Sequence, residues 1–407
     1  MVSRRLSEIE RRLAAFLERV VEGAGPCPAR RFAGDMVQGI LGAQSVRLSR
    51  IGEALGEDVL PESMERRLSR NLGSAKLDYG RLQHQYLRHV ADRLDDETVV
   101  AVDGSDIMKP YARAMEGLGT VYDGSTGNKY ATGYWMLEMT AVTGEGRYVP
   151  LHLEAYSLEL DEGISQAIVL RQALADVVPY VPADALWVFD RGYDGAGTVD
   201  LLGENHIRWA IRQRGDRYLV HHGEEVICRK LADRVPTPHR ATLTIDRSGK
   251  GKKPRRVLLS YGAAPVRLPG HQVPLWLVVV WGFGKEPLML LTNVPCNDAK
   301  NLRRVVLSYG KRWAAEEALR FVKCGTDGFE IEDVRVLRYE ALRRLVFFAF
   351  LAAGFVADLE RTPILVKLLV ATVWLLKKCR EVTRFLFYQL ARAVARALLV
   401  GRPRGPL

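Results

Sequence analysis

The sequence predicts an α/β protein: a layered core of strands and helices, a strand-rich stretch within it, and helical segments at both ends. Three observations carry this. Two short runs, Thr98–Val102 (TVVAV) and Ala185–Phe189 (ALWVF), have the length and the β-branched or aromatic content of buried strands. Gly133–Val142 and Tyr148–Ala155 alternate in strand fashion around a turn at Gly144–Gly146. Helical patterns at Ile164–Val177 and Gly195–Glu204, then a strand at Ile207–Gln213, interleave with these strands as in a layered α/β domain.

The flanking segments read differently. Residues 1–97 are helical in pattern. Within them Ser45–Leu55, a break at Gly56–Pro61, and Ser63–Leu72 with Arg66, Arg67 and Arg70 fit either a helix-turn-helix or a plain helical hairpin with a basic face. Residues 216–295 turn strand-rich, with runs at Ala241–Ile245, Val257–Ser260, Val273–Trp281 and Pro287–Thr292. Between the first two lies Arg247–Arg256 (RSGKGKKPRR). Its Lys250, Lys252 and Lys253 suit either a DNA backbone or a solvated hairpin tip. It lacks the Gly-x4-Gly-Lys-Ser/Thr pattern of a phosphate-binding P-loop. From Asn297 the chain is helical again, ending in a Gly-Arg-Pro tail.

Composition narrows the function classes. The 407 residues are 48% hydrophobic and 26% charged, as in a soluble globular protein of two or three domains. The formal net charge is +11, with most of the excess after Cys296, which favours a polyanionic partner. Five scattered cysteines, none spaced as CxxC, read as reduced thiols rather than a zinc site or disulfide framework. The histidines show no ligand spacing, and His221–His222 reads as a solvated turn. The N-terminal MVSRRLSEIERRL is an amphipathic charged helix, not a signal peptide. Leu345–Leu376 is apolar but broken by Asp358, Glu360, Arg361, Pro363 and Lys367, so packed helices rather than a membrane span are expected.

The chemistry rests on carboxylates. Asp103 follows TVVAV and Asp190 follows ALWVF; each is the first residue past an apolar run, at the sheet edge where α/β active sites collect. Side by side they would repel unless a cation lay between them. Asp106 and Asp194 lie a few residues further on and stay open as alternatives. In the following helix, Tyr309, Arg312, Glu316 and Lys323 share a stripe roughly 60° wide at about 100° per residue. Glu317 falls off that stripe. A carboxylate among Tyr, Arg and Lys can hold a metal ion while its neighbours grip phosphates.

The spacing Tyr309-x2-Arg312-x3-Glu316-x6-Lys323 resembles the Y-(2)-R-(3)-E-(6)-K signature of DDE transposases from bacterial insertion sequences. More narrowly, the chain looks like the subgroup whose RNase H-like core carries a β-rich insertion. VDGSDIMKPY, VFDRGYD, LLTNVP and YGKRWAAEEALRFVK occur in the matching order. The resemblance implies a helical DNA-binding domain over 1–97 and a catalytic core over 98–215 and 296–345. It also implies an insertion over 216–295 and C-terminal helices over 346–407.

It further implies Asp103, Asp190 and Glu316 as catalytic residues and metal ligands for two Mg2+ ions, with Mn2+ able to substitute. The ions would lie about 3.5–4 Å apart and catalyse DNA strand cleavage and strand transfer. Tyr309, Arg312 and Lys323 would grip phosphates. Trp313, or Trp276 or Trp281, would stack a flipped base if a hairpin intermediate forms. The implied partners are double-stranded DNA, as terminal inverted repeats and target, and at least a second copy of the chain in a synaptic complex. The implied place is the bacterial nucleoid in the cytoplasm. Two other readings stay open: a catalytically inactive DNA-binding regulator, and an RNase H-like nuclease that cuts without joining.

Overall fold

A computed structural model describes residues 2–123, 129–160, 164–245, 255–323, 328–361 and 386–400. A ten-stranded mixed sheet forms the centre. Its first strands are β1 (Val99–Met108), β2 (Gly119–Asp123), β3 (Lys129–Val142) and β4 (Tyr148–Tyr156), followed by β5 (Leu186–Phe189) and β6 (Arg208–Arg212). β1 pairs antiparallel with β3, while β4 and β2 pair antiparallel with opposite ends of β3. On its other side β1 pairs parallel with β5, and β5 with β6. The crossovers these parallel pairs require contain α6 (Gln166–Val177) and α7 (Ala196–Glu204).

The strand-rich stretch does not make a sheet of its own. β9 (His239–Ile245), β10 (Arg255–Val266), β11 (Leu275–Trp281) and β12 (Leu288–Thr292) join the same sheet through antiparallel pairing of β12 with β6. Only β7 (Tyr218–His221) and β8 (Glu224–Ile227) pair separately. Their two-residue turn has positive φ at His222 (51°) and Gly223 (89°), the geometry that matches the twist of a hairpin, so the His-His pair does mark a turn.

Alternation along the central strands divides the core in two. Val100, Val102, Trp187, Phe189, Trp209 and Ile211 join the larger cluster. Val99, Ala101, Leu186, Val188 and Ala210 point to the other face, where Val305, Val306 and Tyr309 of α9 (Ala299–Lys323) cover them. The larger cluster continues without interruption into the helices at both chain ends. These are α1 (Val2–Val20), α2 (Cys27–Ala43), α3 (Leu48–Leu55), α4 (Pro61–Leu72), α5 (Tyr79–Val90), α10 (Tyr339–Leu359) and α11 (Phe387–Val400). The N-terminal helices thus share one core with α10 and α11. Phe16, Tyr86 and Phe355 meet there, Phe16 lying 6.3 Å from Tyr86 and 5.5 Å from Phe355 between ring centroids. The short α8 (Cys228–Ala232) follows β8.

Cys27, Cys228 and Cys296 are free thiols; Cys324 and Cys379 lie outside the described residues. Among the described residues, no helix is long and apolar enough to cross a membrane.

Candidate active site

Strand register places the two aspartates. Parallel pairing of β1 with β5 ends at Val102↔Phe189, so Asp103 and Asp190 are the next residues on neighbouring strands, at the same level. Their parity puts both on the face shared with Ala101 and Val188, which is the face α9 covers. One expectation needs correction. β1 does not end at Asp103; it runs on to Met108, because its other edge continues to pair with β3 through Asp103↔Glu138 and beyond. Asp103 therefore lies past the parallel pairing but inside an antiparallel one.

α9 brings its stripe to these residues. Arg312 donates from one Nη to Asp103 Oδ2 at 2.9 Å and from the other to Glu316 Oε1 at 2.6 Å. The hydroxyl of Tyr309 reaches Asp190 Oδ1 at 3.5 Å, and the Arg312 guanidinium lies 5.8 Å from the Tyr309 ring centre. Lys323 donates to the Ser105 hydroxyl at 3.2 Å and lies 3.2 Å from Glu332. The N-terminal half of the stripe is buried: Tyr309 is 2% and Arg312 5% exposed, while the Glu316 side chain is 43% exposed. Glu317 turns away to pair with Arg320, as the helix geometry predicts.

The alternative carboxylates have other partners. Asp194 forms an ion pair with Arg217 at 2.8 Å and accepts the Arg214 amide at 3.1 Å. Asp106 lies 3.8 Å from Lys323, beyond Ser105 and away from Arg312. The DNA-binding candidates divide. Arg66 and Arg70 are exposed on α4, but Arg67 is held by Glu57 through two bonds of 2.6 Å. Trp313 is carried by α9 between Arg312 and Glu316, and Lys250, Lys252 and Lys253 lie outside the described residues. Trp276 and Trp281 sit near opposite ends of β11.

Burial and charge act strongly here. Burial pushes Asp103 up to about 6; Arg312 opposes this, while Asp190 and Glu316 add to it. The three carboxylates therefore share one electrostatic neighbourhood. For Arg312, burial works against the charged form, but Tyr309, Asp103, Asp190 and Glu316 together hold its pKa above the ordinary value. An oxygen-only donor set of this kind suits a hard divalent cation. Even so, among the described residues no three His, Cys, Asp or Glu side chains are gathered as a metal cluster; the charge lying between Asp103 and Glu316 belongs to Arg312.

No protein-family model matches this chain. No curated protein matches it either. Among solved structures, it is similar to a cryo-EM structure of a piggyBac transposase synaptic complex with hairpin DNA. The likeness covers 92% of this chain and 73% of that one, at 10% identity and a TM-score of 0.45. At that score it decides neither fold nor activity.

Two functional-looking residues escaped the sequence. Arg212 of β6 lies 3.7 Å from Asp190. Glu138 of β3 stands opposite Asp103, is 5% exposed, and accepts the Thr140 hydroxyl at 2.8 Å, while its other oxygen has no partner. A lone carboxylate within WMLEMTAV was the available signal. Burial, opposed by the Thr140 bond and reinforced by Asp103, pushes Glu138 up to about 8.

The folded chain thus binds this proton more tightly than the unfolded chain does. The stability it contributes is complete below about pH 4.5 and is lost as pH rises to about 8. Glu138→Gln is expected to flatten the pH dependence of the melting temperature over that window and to raise that temperature at pH 8. Thermal melts across the window, followed by circular dichroism, check this. A pH profile parallel to wild type contradicts it.

Proposed function

We propose that the chain is a DDE-type DNA transposase that binds element ends, cleaves DNA strands and joins them to target DNA. The observation that carries this reading is the meeting of Asp103 and Asp190, level on adjacent parallel strands, with the Arg312–Glu316 pair of α9. The strand order β4-β3-β1-β5-β6, antiparallel first and then parallel, supports an RNase H-like core. On this reading residues 216–295, with β7 to β12 and α8, form the insertion.

Asp103, Asp190 and Glu316 would hold the ions. Two Mg2+ ions, or Mn2+ in their place, would supply Lewis-acid activation of the attacking oxygen and stabilise the leaving one. In this structure the Tyr309 hydroxyl reaches Asp190, Arg312 bridges Asp103 and Glu316, and Lys323 adds positive charge beside Ser105. In the first reaction water adds to a phosphodiester and a 3′-hydroxyl leaves. In the second, that hydroxyl attacks a target phosphodiester and displaces another 3′-hydroxyl. Exposed Arg66 and Arg70, with the Lys250–Lys253 segment, would carry phosphate contacts along duplex DNA. Synapsis of two ends would take at least two copies of the chain, at the nucleoid.

The test is nicking of an end-labelled duplex in magnesium. Wild type is expected to nick, and Asp190→Asn is expected to lose the activity. Nicking unchanged in that variant removes Asp190 from the site.

A further inference from the structure

We infer that Arg312 is a built-in counter-ion that holds the carboxylate cluster closed to divalent cations until a DNA phosphate draws its guanidinium away. The inference rests on the three-carboxylate reading above and adds a coupling between cation and DNA binding that this reading does not require.

The geometry is that of a clamp. The two Nη groups of Arg312 engage one oxygen of Asp103 (2.9 Å) and one of Glu316 (2.6 Å), so a single planar fork ties strand β1 to helix α9. The side chain is buried, with the Tyr309 ring beside it. A cation taking those same two oxygens would lie against a guanidinium at contact distance in a partly dry site, where like charges repel strongly. The two are therefore alternatives. Without either, Asp103 and Glu316 would face Asp190 with only Arg212, 3.7 Å from Asp190, to offset the three charges.

Arg312 also has a reason to leave. Its Nε is buried with no hydrogen-bond partner, so its present position satisfies only part of its donor set. A phosphodiester offers two oxygens in the geometry a guanidinium fork matches, and it carries charge of the sign Arg312 now takes from the carboxylates. Moving Arg312 onto DNA frees Asp103 and Glu316 together. Cation and DNA would then each raise the affinity for the other by the same factor.

The experiment uses the full chain and Mn2+, whose binding is read by electron paramagnetic resonance, with a short duplex of arbitrary sequence as the phosphodiester probe. Without DNA, Arg312→Gln is expected to bind Mn2+ about tenfold or more tighter than wild type. In wild type, Mn2+ should tighten duplex binding, read by fluorescence anisotropy, and Arg312→Gln should lose that gain. Because removing the clamp could unfold the cluster, Arg312→Lys provides a second variant. Its single ammonium cannot bridge both carboxylates, so it should show an intermediate gain in Mn2+ affinity.

Equal Mn2+ affinity in wild type, Arg312→Lys and folded Arg312→Gln overturns the inference. If Glu316→Gln still abolishes Mn2+ binding in that case, the three-carboxylate reading stands. Mn2+ binding that ignores Glu316, or that is absent from every form with and without DNA, overturns both.

Discussion

Glu316→Gln is expected to reduce DNA strand cleavage on the order of 10³-fold or more, the scale seen when one member of a concerted site is removed. Glu316 holds one arm of the Arg312 fork, and its side chain is 43% exposed, so its removal should leave the fold intact. The change deletes a carboxylate charge and preserves shape. Binding to duplex DNA should therefore not weaken, because the exposed arginines of α4 and the basic segment after β9, proposed above to carry the phosphate contacts, are untouched. Gel-resolved cleavage and anisotropy on the same preparation separate the two effects. Full cleavage by the variant would place the chemistry elsewhere, and equal loss of binding and cleavage would make Glu316 a docking residue.

The largest effect on stability is expected at Tyr86. Its ring is fully buried, lies 4.9 Å from Phe350 between centroids, and donates its hydroxyl to the Pro150 carbonyl at 2.8 Å. Gly354 of α10 makes room for it: a Cβ there would stand 2.4 Å from a Tyr86 ring carbon. Tyr86→Ala should cost about 3–5 kcal/mol through the cavity alone. Gly354→Ala should cost about 1–3 kcal/mol by overpacking in the wild-type chain. In the Tyr86→Ala background the same change should cost nothing or stabilise, since its methyl enters the cavity. Denaturant titration of the four proteins gives that coupling. Simple additivity would contradict the packing described.

The central strands were legible because their burial is written in short apolar runs. TVVAV and ALWVF became β1 and β5, and the residues after the two runs came to lie level on neighbouring strands. The rest of β1 was not legible: Gly104, Ser105 and Asp106 have little strand character, and only pairing with β3 keeps them extended. Glu138 was passed over because a carboxylate in an alternating strand normally faces solvent, whereas α9 covers that face here. The stripe on α9 is readable as a face with an i,i+4 pair of Arg312 and Glu316; the burial of Tyr309 and Arg312 against the sheet and the second bond of Arg312, to Asp103, are not. The terminal helices read as separate segments because packing of Phe16 and Tyr86 against Phe355 and Phe350 of α10 is a long-range contact with no local pattern. The pairing of Arg67 with Glu57, ten positions away in the turn between α3 and α4, has no signal in the helical pattern.

Cutting followed by joining can be read by incubating the chain in magnesium with duplexes taken from the DNA flanking its coding sequence and with a supercoiled target, then sequencing the products. The expected products carry 3′ ends of the flanking DNA joined covalently to the target, dependent on Asp103, Asp190 and Glu316. Magnesium-dependent cutting that yields only free ends would contradict joining and leave a nuclease.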